Sequence, residues 1–168
     1  GSLTPQRVRD HYENAVEAGL DILVIQGTVI SAEHVSERSE PLNLKEFIGE
    51  VEVPCIVGGC ASYSTGLHLM RTGAAGVIVG VDEVGLGIGA PLASAIGDAR
   101  AARVRHLDET GVYCHLIARG DLRSGADVAK AVACGADAVL VDSSMLLGAD
   151  PQSGTVVGGD VVEQLRGA

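Results

Sequence analysis

Three segments of the chain repeat one pattern, in which a helix end is followed by a glycine and then by a short aliphatic run. The three glycines are Gly19, Gly73 and Gly135. We predict that each adopts the left-handed conformation that commonly ends a helix. The runs after them are continuously apolar rather than alternating. This pattern is typical of strands that are buried on both faces in a parallel sheet covered by helices.

The order of the predicted elements indicates an α/β fold with about five parallel strands. Pro91 suits the first turn of a helix, and Ser124 with Asp127 resembles a capping box. The predicted strands are 22–25, 53–57, 75–79, 112–117 and 137–141, and the predicted helices span roughly 4–18, 42–50, 62–72, 91–109 and 124–134.

The repeated strand–helix–strand units are those of a TIM-type barrel. A complete (βα)₈ barrel needs about 250 residues, whereas this chain has 168. We therefore expect a single partial barrel domain over residues 1–168, equivalent to the last five-eighths of a barrel. Residues 1–2 are expected to be a tag scar and 149–168 a C-terminal tail.

Composition narrows the classes of function. Apolar residues make up 46% of the chain, which excludes disorder, and the net charge of −10 argues against binding to nucleic acid. No apolar run approaches the length of a membrane span. The four cysteines form no C-x-x-C pair and the five histidines show no ligand spacing, so we expect a reduced cytoplasmic protein with no metal and no cofactor.

Five segments carry a resemblance to a known family. They are 25–35 (IQGTVISAEHV), 41–47 (PLNLKEF), 58–63 (GGCASY), 67–80 (LHLMRTGAAGVIVG) and 125–139 (GADVAKAVACGADAV). Together they resemble the IMP dehydrogenase/GMP reductase family, and most closely its branch of IMP dehydrogenase-related proteins. The resemblance covers roughly residues 3–148 and implies a purine nucleotide bound over the carboxyl ends of the strands.

The chain departs from the family pattern at the reactive cysteine. The resemblance implies a loop after strand 75–79 whose cysteine attacks the purine. Here Gly80 continues into 81–90, a segment without cysteine, so the thiolate nucleophile is missing. Cys60 lies at the carboxyl end of another predicted strand, but a small structural cysteine is the more common role there.

A second departure follows strand 112–117. The family pattern there is Asp-Gly-Gly-Ile-Arg, with an aspartate that holds ribose hydroxyls and amides that hold phosphate. This chain has Arg119, Gly120, Asp121, Leu122 and Arg123. Gly120, the first amides of the next helix and the two arginines can still receive an anion. The alternative is a pair of solvated loop arginines.

A third departure follows the last strand. Asp142, Ser143 and Ser144 stand where the family has a phosphate-binding Gly-Ser. An aspartate beside a phosphate costs Coulomb energy, which disfavours a phosphorylated purine as the ligand. Ser143 and Ser144 are equally suited to capping the segment that follows.

The remaining polar candidates also follow predicted strands. A Glu33–His34 pair can serve as acid and base, although such pairs are more often solvated loop residues. The catalytic candidates are Glu33, His34, Asp121 and Cys60. The predicted ligand-binding residues are Gln26, Thr28, Gly58, Gly59, Arg119, Gly120, Asp121, Arg123, Asp142, Ser143 and Ser144.

Three functions are compatible with these residues. The first is a small-molecule biosynthetic enzyme of non-redox type, such as a cyclase, isomerase or lyase, on an IMP dehydrogenase-like barrel. The second is a catalytically inactive relative that acts as a binding or regulatory subunit. The third is a trimmed purine-nucleotide oxidoreductase. In each case the expected partner is a small-molecule ligand.

The predicted sheet cannot close with five strands, so two edges and one face need cover. Strands 22–25 and 139–141 carry almost no charge to protect such an edge. We therefore expect a symmetric homodimer.

Overall fold

A computed structural model describes residues 1–27, 33–34, 42–81, 90–122 and 124–141 of the chain; for 33–34 it describes the backbone alone. In chain order the elements are β1 (Ser2–Leu3), α1 (Val8–Glu17), β2 (Leu23–Gln26), β3 (Glu33–His34), β4 (Leu42–Asn43), α2 (Leu44–Glu50), β5 (Cys55–Cys60), α3 (Tyr63–Met70), β6 (Gly76–Val79), α4 (Leu92–Thr110), β7 (His115–Ala118), α5 (Gly125–Cys134) and β8 (Ala138–Val139).

The main sheet has six strands in the order β1-β2-β5-β6-β7-β8, and all of its described pairs are parallel. The α/β class and the parallel sheet of about five strands are thus confirmed, with one strand more than the five identified in the sequence. The additional strand is β1, which pairs Ser2 with Val24 and Leu3 with Ile25. Ser2, expected to be part of a tag scar, is therefore hydrogen-bonded into the sheet.

Alternation along the strands places the core on the helix-covered face. Leu23, Ile25 and Val57 are fully buried there, together with apolar residues of α3 and α4. The intervening side chains, such as Val24 and Ile56, are only half-buried. All four residues of β6 are buried because this strand lies in the middle of the sheet.

The predicted helix ends are confirmed at the glycines of the repeat. Gly19, Gly73 and Gly135 have φ angles of 85°, 91° and 122°. The start of α5 is also confirmed, since the Ser124 hydroxyl accepts from the Asp127 N–H at 3.3 Å and donates to its carboxylate at 2.8 Å. This satisfies one of the free amides of the first turn.

Several boundaries differ from the sequence prediction. The first helix begins at Val8, because residues 5–7 form a turn. Gly58 and Gly59, predicted to end a strand, lie inside β5 and are buried. The strand predicted from residue 112 begins only at His115, because its pairing with β6 starts there, opposite Gly76. A separate antiparallel pair, β3 with β4, was not predicted.

One carboxylate joins three elements at the amino ends of the strands. Asp137 precedes β8 and accepts from Arg103 of α4 at 2.7 Å, from the Tyr113 hydroxyl at 2.8 Å and from the Leu116 N–H of β7 at 2.8 Å. Burial acts to raise the pKa of Asp137, but the hydrogen bonds from Leu116 and Tyr113 and the charge of Arg103 outweigh it. The pKa therefore lies below its ordinary value.

All four cysteines are described, and none is in a disulfide. No helix in the described part of the chain is long and apolar enough to cross a membrane.

Candidate functional site

A cleft of about 660 Å³ lies at the carboxyl ends of the parallel strands. In parallel α/β sheets this is the edge at which ligands bind. Gln26 ends β2, Gly80 follows β6, and Arg119 follows β7. The described residues that line the cleft are Gln26, Gly80, Val81, Ala90, Leu92, Arg119, Gly120, Asp121, Leu140 and Val141.

The floor of the cleft depends on the close approach of two backbone segments. The Arg119 N–H donates to the Val79 carbonyl at 2.8 Å. Gly80 has a φ of +121°, and a Cβ on it would lie 1.9 Å from the Arg119 carbonyl oxygen. Only glycine combines this conformation with this contact. The backbone of Arg119 is therefore fixed against the end of β6.

The loop after β7 is held on its other side by α4. A Cβ on Gly120 would lie 2.9 Å from Cδ2 of Leu92, so the loop packs directly on the first turn of the helix. The Leu122 N–H donates to the Gly120 carbonyl at 2.9 Å, and the Leu122 side chain is buried. These contacts place Arg119 and Asp121 at the cleft with little freedom in the backbone that carries them.

The cleft combines charged, amide and aliphatic groups. Arg119 is half-buried, Asp121 is exposed, and Gln26 is half-buried. Arg119 and Asp121 each interact with another group of the chain. The other described lining residues are aliphatic or glycine. The side chains of the described lining therefore offer one cation, one anion and one carboxamide beside aliphatic groups and glycine backbone.

Cys60 is not part of this surface. It ends β5 and is 2% exposed, and burial raises the pKa of its thiol to about 11. A thiol in this state carries almost no thiolate near neutral pH. Cys55 and Cys114 are also buried, and burial raises the pKa of both thiols. None of the four cysteines lines the cleft.

The structure brings four predicted site residues together: Gln26, Arg119, Gly120 and Asp121 line the same cleft. Gly58 and Gly59 do not line it, because they are buried within β5. Glu33 and His34 form β3, and their side chains lie outside the description. The predicted site residues outside the described part of the chain are Thr28, Arg123, Asp142, Ser143 and Ser144.

Sequence reasoning missed most of the apolar lining. Gly80, Val81, Leu140 and Val141 follow strands directly, and Leu92 begins α4. Their positions next to predicted strand and helix ends are the signal that identifies them. Within the described ranges, no group of three or more His, Cys, Asp or Glu side chains is arranged to hold a metal.

Residues 3–168 match the family model described as the IMP dehydrogenase / GMP reductase domain. An uncharacterized oxidoreductase of Mycolicibacterium smegmatis is 52% identical over 158 residues, covering 88% of this chain and 42% of that protein. The inosine-5'-monophosphate dehydrogenase of Haemophilus influenzae is 32% identical over 148 residues, covering 84% of this chain and 28% of that protein.

A solved structure is similar as well. The IMP dehydrogenase/GMP reductase-like protein of Corynebacterium glutamicum matches with a TM-score of 0.77 at 51% identity, covering 88% of this chain and 39% of that one. The chain thus spans about two-fifths of the length of the relatives that it matches at about 50% identity.

Proposed function

The chain belongs to the IMP dehydrogenase/GMP reductase family, and from that premise we propose that it binds a small molecule in the cleft at the carboxyl ends of its strands and serves a non-redox reaction that needs no cysteine. The reaction is of the cyclase, isomerase or lyase type. The observation that carries this proposal is the composition of the cleft: Arg119 and Asp121 face it, and no cysteine does.

The missing thiolate is the strongest argument against the covalent attack on a purine that the family resemblance implies. Covalent attack on a purine needs a thiolate in contact with the bound ring. Cys60 is the cysteine nearest in sequence to a strand's carboxyl end, but it is buried and the pKa of its thiol is raised to about 11. Segment 81–90 has no cysteine in the sequence. A reaction driven by acid–base groups avoids this requirement.

Asp121 is the described residue best placed for acid–base work. It lines the cleft and is exposed to solvent, so a ligand can reach its carboxylate. Arg119 supplies a positive charge two residues away, where it stabilises negative charge on a bound carboxylate or enolate. We assign Asp121 the role of proton acceptor and Arg119 the role of anion-binding residue.

The described lining does not fit a nicotinamide dinucleotide. Such a cofactor presents two phosphates and two aromatic rings, which proteins bind through several donors and apolar or aromatic surfaces. Among the lining residues that the structure describes, Arg119 is the one cation and none is aromatic. No step of the proposed reaction therefore depends on this cofactor.

The competing function is hydride transfer. It is supported by the relatives at about 50% identity, whose names describe them as oxidoreductases. Absorbance at 340 nm decides between the two functions, with IMP plus NAD as one substrate pair and GMP plus NADPH as the other. We expect no change above background with either pair. A rate proportional to protein concentration would refute the proposal.

An inactive binding subunit also gives no signal at 340 nm, so a second assay is needed to distinguish it from a non-redox enzyme. The chain is incubated with a protein-free metabolite extract, and products are followed by mass spectrometry against a blank. The proposal predicts a substrate loss and a product gain that are both abolished by Asp121→Asn. Arg105→Ala is the matched control, since Arg105 lies in the C-terminal half of α4. Binding without turnover would favour the subunit role.

A further inference from the structure

The two charges of the cleft are carried by one short loop. Arg119 and Asp121 are separated only by Gly120, and both line the cleft. The loop is fixed by the Arg119 N–H bond to Val79 and by the packing of Gly120 on Leu92. A cationic and an anionic residue therefore line the same cleft from one loop whose backbone is held on both sides.

The rest of the described lining gives a ligand apolar contact. Val81, Leu92, Leu140 and Val141 contribute aliphatic side chains, and Gly80 and Gly120 contribute backbone. Leu140 remains 38% exposed, so a ligand with aliphatic carbon atoms would bury surface that now faces water.

From these charges and this apolar surface we infer that the cleft takes a zwitterion, a small molecule with one carboxylate and one ammonium group joined by aliphatic carbon atoms. The carboxylate pairs with the Arg119 guanidinium, whose planar fork matches it. The ammonium group pairs with the Asp121 carboxylate. The inference rests on the proposed function, because it names the substrate class of the same cleft.

A phosphate monoester suits this arrangement less well. Near neutral pH it carries close to two negative charges, of which Arg119 matches one, and Asp121 repels the other. The net charge of the chain, −10, adds to this repulsion.

Four probes of similar length test the inference by isothermal titration calorimetry at low salt. They are 6-aminohexanoate, hexanoate, hexylamine and hexyl phosphate. We expect 6-aminohexanoate to bind about fivefold more tightly than either singly charged probe, as one partly solvated ion pair predicts. Hexyl phosphate should bind more weakly than 6-aminohexanoate.

Variants of Arg119 and Asp121 test which charged group of the ligand each residue binds. Arg119→Ala should remove the advantage of 6-aminohexanoate over hexylamine, and Asp121→Asn should remove its advantage over hexanoate. Arg105→Ala should leave both advantages unchanged. Circular dichroism checks that the variants are folded, and Arg119→Gln replaces Arg119→Ala if the latter is not.

Two results would overturn the inference: tighter binding of hexyl phosphate than of 6-aminohexanoate, or equal binding of the zwitterion and the singly charged probes. Neither result bears on hydride transfer, which the absorbance assay measures separately. Conversely, hydride turnover together with the predicted probe ranking would refute the proposed reaction and leave the ligand class standing.

Discussion

Gly80 is the residue on which the geometry of the cleft depends most directly. Its φ of +121° is one that side chains rarely adopt, and its α-carbon faces the Arg119 carbonyl so closely that a methyl group would overlap it. The same contact holds the backbone of the residue that we assign to anion binding. A change at Gly80 should therefore affect stability and binding together.

Gly80→Ala should lower the free energy of unfolding by about 2 kcal/mol or more, since it adds backbone strain and a steric overlap. The matched control is Gly97→Ala in α4, where a Cβ meets nothing within 4 Å and the helix should gain about 0.5–1 kcal/mol. Urea denaturation followed by circular dichroism measures both. Equal stability of Gly80→Ala and wild type would show that the loop is not held at this contact.

The cysteines give a second test at the residue scale. Burial raises the pKa of the Cys60 thiol to about 11 and that of Cys114 to about 12, whereas Cys134 is only half-buried. Iodoacetamide at about pH 8 should therefore alkylate Cys134 first in the native protein, and peptide mass spectrometry identifies the labelled site. Rapid labelling of Cys60 would contradict this prediction and would support a nucleophilic role for its thiolate.

Among the elements, the two-residue strand β8 has contacts of its flanking residues at both ends of the sheet. Asp137 precedes it at the amino end, tied to Arg103, Tyr113 and Leu116. Leu140 follows it, donates its N–H to the Ala118 carbonyl at 2.8 Å and lines the cleft. The Asp137 contacts thus hold a two-residue strand whose continuation forms one wall of the site.

The low pKa of Asp137 determines how its contribution to the free energy of unfolding changes with pH. Because the folded pKa lies below the ordinary value of 3.8, ionised Asp137 stabilises the fold above that pH, and this stabilisation is lost as the pH falls through the folded pKa. Asp137→Asn should lower the free energy of unfolding at pH 7 by about 1–3 kcal/mol. In Asp137→Asn, the free energy of unfolding should also fall less steeply than in wild type as the pH decreases from about 5 to about 3.

Urea denaturation across this pH range tests the Asp137 prediction. Asp98→Asn is the control, because Asp98 is an exposed carboxylate on α4 and its removal should change stability by less than about 0.5 kcal/mol. The same pH slope in Asp137→Asn as in wild type would contradict the prediction.

The elements that the sequence predicted are those with a strong local signal. The aliphatic runs after Gly19, Gly73 and Gly135 form β2, β6 and β8. Burial on both faces, which a continuous apolar run predicts, is found for β6, whereas Val24 of β2 is half-buried and Ala138 of β8 is exposed. Strand β1 has only two residues, too few to show a pattern. Glycine usually interrupts strands, so the sequence predicts a strand end at Gly58 and Gly59. Both instead lie within β5, where Gly58 pairs with Gln26 and Ile78 and Gly59 lies at an irregularity in the pairing with β6.

For the site, sequence order predicted the edge of the sheet but not every residue. Gln26, Arg119 and Asp121 were predicted because each is polar and follows an apolar strand. Gly80 was not, since its role depends on a contact with Arg119 that is distant in sequence. The burial that makes Cys60 a poor nucleophile also depends on tertiary packing.

At the scale of the whole molecule, the described sheet is open. Its order begins at β1 and ends at β8, and no described pairing joins the two. The strand expected to form one edge, 22–25, instead pairs with β1 and β5 on its two sides. Leu140, beside the edge strand β8, is 38% exposed. Edges of this kind leave unpaired backbone groups and apolar side chains in contact with water.

We propose that a second copy of the chain covers these edges in a symmetric homodimer. Light scattering at micromolar concentration should give about twice the chain mass of 17.1 kDa. Adding a charge at an edge, as in Leu140→Lys, should shift the population toward monomer. A monomer for the wild type at all concentrations would contradict the proposal.

Native mass spectrometry shows whether the cleft at the carboxyl ends of the strands is the ligand site. The wild type, Arg119→Ala and Arg105→Ala are each incubated with the same protein-free metabolite extract and then desalted. We predict that the wild type and Arg105→Ala retain one small molecule of the same mass, which Arg119→Ala loses. Retention of that molecule by all three proteins, or by none, would contradict the claim.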